Sequence, residues 1–130
     1  LHDAEKEFAE AVLAAGLVAG EPLAGHRDIG VSAPAWLNGL AEAASELRRY
    51  LLDRLRAGEL AEGERLLGAM DDVYDLLTSI DFPDALTGGL RRTTDALRAV
   101  LERIRSDLTL TRVQARLHAA LGVPTPERDG

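Results

Sequence analysis

The sequence predicts an all-α protein, an antiparallel helical bundle of about five helices, and three observations carry that expectation. The apolar share is 46% but aromatics make up only 4%, so Leu, Ala and Val must fill the core. Leu and Ala are strong helix formers, and β-branched residues are sparse. Apolar positions recur at steps of three and four, with no alternating stretch long enough for a strand.

The first helix is expected from about Asp3 to Val18, where Leu1, Ala4, Phe8, Ala11, Val12 and Ala15 fall on one side at helical spacing. A loop follows to about Ser32, broken by Gly20, Pro22, Gly25 and Gly30. Ser32 is a natural N-cap, with Pro34 in the first turn where its missing N–H costs nothing. The second helix is predicted over about Ala33 to Ala57, its apolar stripe being Trp36, Leu37, Leu40, Ala44, Leu47, Leu51 and Leu55. Gly58 stops it. The third covers about Glu59 to Ile80, with Leu66, Leu67, Met70, Val73, Tyr74, Leu77 and Ile80 recurring on one face. The short gap between the second and third implies an antiparallel hairpin. Asp81-Phe82-Pro83-Asp84 interrupts, because the residue before a proline is pushed out of helical geometry. A fourth helix is expected over about Leu86 to Arg105, with Leu90, Leu97, Leu101 and Ile104 inward. Ser106 and Asp107 can cap a last segment or continue into it, with Leu108, Val113, Leu117 and Leu121 apolar. Gly122, Pro124 and Pro126 end the order, leaving residues 1–122 as one helical domain and 123–130 as a loose tail.

At 130 residues the chain suffices for one domain with one core. It has no cysteine, which excludes disulfides and thiolate metal sites. No apolar run approaches the roughly 18 residues of a membrane span. The opening Leu1-His2-Asp3-Ala4-Glu5-Lys6-Glu7 lacks the basic start and apolar middle of a signal peptide, so a soluble cytoplasmic protein is expected. The formal net charge is −7, which argues against a broad basic surface for duplex DNA. Lys6 is the only lysine, and every other cation among the Lys and Arg residues is Arg. There is no internal repeat and no sustained heptad pattern.

Residues Phe82-Pro83-Asp84-Ala85-Leu86-Thr87-Gly88-Gly89-Leu90-Arg91-Arg92-Thr93-Thr94-Asp95, together with Tyr74-Asp75-Leu76-Leu77 before them and Leu97 to Thr109 after, resemble the prokaryotic branch of the translin family. So does Trp36-Leu37-Asn38-Gly39-Leu40-Ala41-Glu42 through Arg49. The resemblance runs from about Glu5 to Leu121. It implies a translin-like helical bundle, with further helices before Leu1, since family members are usually longer at that end. Translin binds single-stranded DNA and RNA. Its partner, translin-associated factor X, is a magnesium-dependent endoribonuclease, and the two assemble into a closed octameric shell. The partner's acids lie in a Glu-aromatic-x-Glu-Ala motif and a Gly-x-Ala-acid-x-x-x-Glu-Leu motif. This chain reads Glu7-Phe8-Ala9-Glu10-Ala11 and Gly39-Leu40-Ala41-Glu42-Ala43-Ala44-Ser45-Glu46-Leu47. All four acids are present, which favours the nuclease-like branch.

The resemblance thus assigns Glu7, Glu10, Glu42 and Glu46 as catalytic acids and ligands of Mg²⁺. Chemistry is consistent with this. Acids at i, i+3 and i, i+4 lie about 5–6 Å apart at Cβ. Were the two helices to pack with these faces together, four carboxylates would repel one another until a proton or a hard cation relieved them. Mg²⁺ would lower the pKa of a bound water and stabilise charge building on phosphate. Spacing alone does not distinguish this from a solvated acidic face. On a helical wheel Glu42 and Glu46 point away from Leu40, Leu47 and Leu51, beside Arg49 and Asp53.

Other features fit blander readings. Asp71, Asp72 and Asp75 suit a solvated face, and His2, His26 and His118 share no metal-ligand spacing. Gly88-Gly89 suits a helix start better than a phosphate cradle. Arg91, Arg92 and Arg98 are the candidate nucleic-acid contacts, since Arg binds phosphate bidentately. They sit with Arg103, Arg105, Arg112 and Arg116 among Asp95, Glu102 and Asp107, a pattern that also suits intrahelical ion pairs. Trp36 and Phe8 look like core or interface anchors. Three functions follow as expectations: a Mg²⁺-dependent endoribonuclease acting on single-stranded RNA, a non-catalytic binder of single-stranded DNA or RNA, or a helical oligomerisation protein. The resemblance implies a homo-oligomer resembling the octameric shell.

Overall fold

The computed structural model describes residues 2–80 and 89–122. They form four helices, α1 (His2–Ala19), α2 (Ala33–Arg56), α3 (Leu60–Ser79) and α4 (Leu90–Leu121), and no strand occurs among the described residues. The boundary signals behave as their chemistry requires. The Ser32 side chain caps α2 by accepting from the Ala35 N–H at 3.3 Å, with proline in the first turn. Gly58 takes φ +78°, and the next N–H, that of Glu59, reaches back to the Arg54 carbonyl at 2.9 Å. That left-handed turn closes α2, and α3 starts two residues after Gly58.

The core is aliphatic. Leu40, Leu51, Leu66, Met70, Leu97, Leu101 and Ile104 are almost completely buried, joined by Leu13 from α1. Helix α2 is central and packs against all three others. Helix α3 returns antiparallel to α2, with Gly63 beneath the Leu55 side chain. Helix α4 is antiparallel to α3, since Arg105 reaches Asp71 and Arg112 reaches Glu64. Helix α1 instead runs alongside α2 in the same direction. Glu5 meets Ser32, the Lys6–Glu10 stretch meets Gly39, and the carbonyls of Leu17 and Val18 accept from Arg65 at the start of α3. The loop from Gly20 to Ser32 therefore travels back along the bundle. Trp36 pins it by donating from Nε1 to the Ala24 carbonyl at 2.8 Å.

The structure refines three expectations. The fourth and fifth helical segments are one helix of 32 residues, α4. Ser106 and Asp107 do not interrupt it, because they are exposed mid-helix residues and nothing between Leu90 and Gly122 lacks an N–H or needs positive φ. Gly122, at φ +69°, ends it. The inward face of α1 is also rotated from the expected one. Ala9, Leu13 and Leu17 are buried, whereas Ala4, Ala11 and Ala15 are exposed and Phe8 is 53% exposed. The close approach of α2 at Gly39 admits only a methyl group, so Ala9 takes the inward position and Phe8 is left outside the core. Finally, Leu108 is buried, but the apolar positions beyond it, Val113, Leu117 and Leu121, are exposed. The interruption at Asp81–Asp84, the expected start of the fourth helix at Leu86, the Gly88 position and the tail 123–130 lie outside the described residues. None of the helices among the described residues is long and apolar enough to cross a membrane.

Candidate functional site

The seam between α1 and α2 is built from small residues. Ala9 of α1 is fully buried against Gly39 of α2. A Cβ placed on Gly39 would stand 2.8 Å from the Ala9 Cβ and 3.0 Å from both the Glu10 nitrogen and the Lys6 carbonyl oxygen. Two backbones meet there, which only glycine allows. Gly39 and Ala9 thus have a mechanical role. They bring the two helices close enough that acids along the edge of the seam face one another across it.

Three acids do so. The carboxyl of Glu10, half-buried at the seam, is pushed up to about 7 from its ordinary 4.5. Partial burial is the largest cause, followed by a side-chain hydrogen bond with Glu46 and then by the negative charges of Glu46 and Glu42. Two carboxylates can share a hydrogen bond only if one is protonated, so the neighbouring Glu46 favours the protonated form of Glu10. Lys6, one turn before Glu10, opposes the shift. Its Nζ lies 3.9 Å from the Glu42 carboxylate.

Glu7 shares the helix and the motif but is exposed, and the charges acting on Glu10 come from Glu46, Glu42 and Lys6. The structure therefore brings together Glu10, Glu42 and Glu46 and leaves Glu7 on the outer flank. Lys6 is the member that sequence reading missed. The signal available was its position four residues before Glu10, on the same helical face, as the single lysine of an Arg-rich chain.

The donor set suits a hard divalent ion, being all carboxylate oxygen with no sulfur or imidazole, and the raised Glu10 carboxyl marks a place where positive charge is wanted. Among the described residues no three His, Asp or Glu stand in metal-holding geometry as folded. Here Glu42 is drawn to Lys6 and Glu10 to Glu46.

The candidate arginines lie elsewhere. Arg91, Arg92 and Arg98 are exposed on the first half of α4, which packs on α2 and α3 and not substantially on α1. Arg98 pairs with Glu102 at 3.4 Å. With Tyr74, Asp75, Leu101 and Arg105 it lines a shallow polar cleft between α3 and α4. Asp71 is engaged by Arg105 in the same cleft, so this acid on α3 has its own counterion.

No protein-family model matches the chain. A stretch of 73 residues is 36% identical to an uncharacterized protein of Methanocaldococcus jannaschii, covering 56% of this chain and 32% of that protein. Among solved structures, the chain superposes on AfC3PO in complex with duplex RNA with a TM-score of 0.81 and 39% identity, over 89% of this chain and 60% of that one. The same coverage and identity hold for AfC3PO crystallised as such, with a TM-score of 0.80. The chain thus has the all-helical fold of AfC3PO, translin-like as the residues suggested, and spans less than two thirds of the length of each of these relatives.

Proposed function

We propose that the chain is the acid-bearing part of a translin-like protein that handles RNA and cleaves it with a divalent cation, in the manner of the translin-associated factor X branch. The observation that carries this reading is the meeting of Glu10, Glu42 and Glu46 across a seam that Gly39 keeps narrow. A solvated acidic face has no use for a glycine at that crossing, nor for a carboxyl that keeps its proton. Glu10, Glu42 and Glu46 would hold Mg²⁺, with Glu7 recruited from the flank. The ion would supply an activated water and stabilise negative charge on the phosphate. Arg91, Arg92 and Arg98 would contact the RNA backbone. The likeness to a protein solved with duplex RNA supports RNA as the partner and leaves single strands to be tested against duplexes.

The test uses end-labelled single-stranded and duplex RNA, with Mg²⁺ or EDTA. Cleavage that needs Mg²⁺ and drops by at least about 100-fold in Glu42→Gln is the expected result, matching the loss of one group that acts in the transition state. Unchanged cleavage in Glu42→Gln would remove these acids from the mechanism. Salt-sensitive binding with no cleavage, indifferent to the same substitution, would establish the non-catalytic alternative.

A second observation favours self-association as a property of the same protein. Leu110, Val113, Leu117 and Leu121 are each at least half exposed and recur along the free end of α4 at helical spacing. An apolar stripe of this kind marks a contact surface, in line with an oligomeric shell.

A further inference from the structure

We propose that Lys6 is the internal counter-cation of the acidic seam: its ammonium holds Glu42 in the metal-free protein, has to leave it when a divalent ion binds, and so sets the cation affinity of the site. The proposal rests on the metal-site reading above and goes beyond it, since Lys6 belongs to neither acid motif.

Geometry carries it. Lys6 lies four residues before Glu10, on the face of α1 that borders α2, and its carbonyl is part of the tight crossing at Gly39. The start of its side chain is therefore fixed by the backbone contact that defines the seam. From there the ammonium reaches to 3.9 Å from Glu42 Oε1. The long separation and the 34% and 40% exposure of the two side chains describe a loose pair, which a doubly charged ion can replace. Lysine suits this role better than arginine. Its charge sits on a flexible stem with compact, rotatable donors, while a guanidinium would lock a carboxylate in a bidentate fork. Arg pairs are what the rest of the chain uses: Arg54 with Glu59, Arg65 with Glu62, Arg105 with Asp71 and Arg112 with Glu64. The Lys6–Glu42 pair is the exception. Lys6 also accounts for the seam lacking a preformed metal geometry, because Glu42 cannot face a shared point while it faces the ammonium.

Lys6 is thus a positioning residue, and its test reads metal binding directly. Calorimetric titration of Mg²⁺ and Mn²⁺ into the protein is compared with Lys6→Met, which keeps the apolar stem and removes the charge, and with Lys6→Arg. Loss of an exposed ion pair predicts roughly two- to fivefold tighter binding in Lys6→Met, shrinking as salt is raised. Lys6→Arg should bind no more tightly than the native chain. Circular dichroism of each variant confirms that it is folded. Equal affinity in the native chain and Lys6→Met, or weaker affinity in Lys6→Met, overturns the proposal while the metal site stands. No binding of either ion to the native chain or to Lys6→Met overturns the metal site and this inference with it. A second readout is spectroscopic. Reductive ¹³C-methylation labels Lys6 and the chain terminus while keeping the charge, and the Lys6 methyl resonance should move on adding Mg²⁺ to the native chain but stay put in Glu42→Gln. A resonance indifferent to Mg²⁺ in a chain that binds the ion overturns the proposal.

Discussion

The two sides of α2 carry the same kinds of residues and use them oppositely. On the α3–α4 side, acids at helical spacing meet arginines across the gap, as Asp71 does Arg105 and Glu64 does Arg112. On the α1 side, acids meet acids, and burial together with Glu46 pushes the Glu10 carboxyl up. The difference is set by what lies beneath. Leu101, Ile104, Met70 and Val73 are buried in α3 and α4, and the charges around them are neutralised by long side chains. Between α1 and α2 lie Gly39 and Ala9, and the helices come so close that the short reach of Glu suffices to bridge them. Charge neutralised at home can do nothing for a ligand. Charge left in deficit can take a cation, which is the ground for proposing a functional site on the α1–α2 seam.

The largest expected effect comes from widening that seam. Gly39→Ala puts a methyl group against two backbone atoms of α1 that cannot turn aside, at a cost of about 1–3 kcal/mol typical of overpacking. It should also separate Glu10 from Glu46 and return the Glu10 carboxyl toward its ordinary range. Gly63→Ala is the control. Its Cβ would meet Leu55 Cδ2 at 2.4 Å, the far end of a side chain that can change rotamer. Urea unfolding of both variants decides the point. A Gly39→Ala protein no less stable than Gly63→Ala would mean that the crossing is not what holds the acids together.

Next in size is a pH effect that separates the two sides. Glu10 is raised in the folded protein, so its contribution to stability is present below the ordinary value of 4.5 and is lost as pH rises through about 7. Glu62 has the opposite sign. Its hydrogen bond to Arg65 holds it below 4.5, and its contribution is lost as pH falls. Thermal unfolding of Glu10→Gln beside the native chain, from pH 4 to 8, should show the variant gaining in relative Tm between about pH 4.5 and 7, since Gln donates to Glu46 without a proton to lose. A constant difference across that range would place the Glu10 proton elsewhere.

How much of this was legible depended on the kind of signal. The α2 stripe was readable because Leu37, Leu40, Leu47, Leu51 and Leu55 are large and periodic, and all are buried. The same logic misassigned α1. Its spacing grouped Phe8 with Ala4, Ala11 and Ala15 on one side, when the neighbouring surface at Gly39 could accept only Ala9. Tertiary fit overrode hydrophobicity, and no single-helix pattern contains the shape of the opposing helix. The acids show the same limit. Glu10, Glu42 and Glu46 were identified through two motifs, yet spacing within each helix says nothing of distance between helices. That Lys6 joins them and Glu7 stands aside follows from the rotation of α1 about its axis, which is fixed by the Gly39 contact. Of the two outcomes open at Ser106-Asp107, the continuous helix occurs for a local reason. Cap residues are also tolerated on the exposed face of a long helix, and only Gly122 supplied the positive φ of a true end.

The smallest expected effect closes the comparison from the neutralised side. Arg112 donates from Nε to Glu64 at 3.0 Å and again from Nη2 to the same oxygen, linking the distal part of α4 to the first turns of α3. The two side chains are 41% and 44% exposed. Water and salt screen such a pair, so a double-mutant cycle with Arg112→Ala and Glu64→Ala should return a coupling of about 0–1 kcal/mol, falling as ionic strength rises. The sign matters more than the size. Removing a partner on this side should be neutral or mildly destabilising, because favourable Coulomb energy is lost. Removing a charge from the seam through Glu10→Gln should be stabilising above pH 7, because repulsion is relieved. If both substitutions moved stability in the same direction at pH 8, the acids of the two seams would be electrostatically equivalent, and the α1–α2 side would have no special claim on a cation.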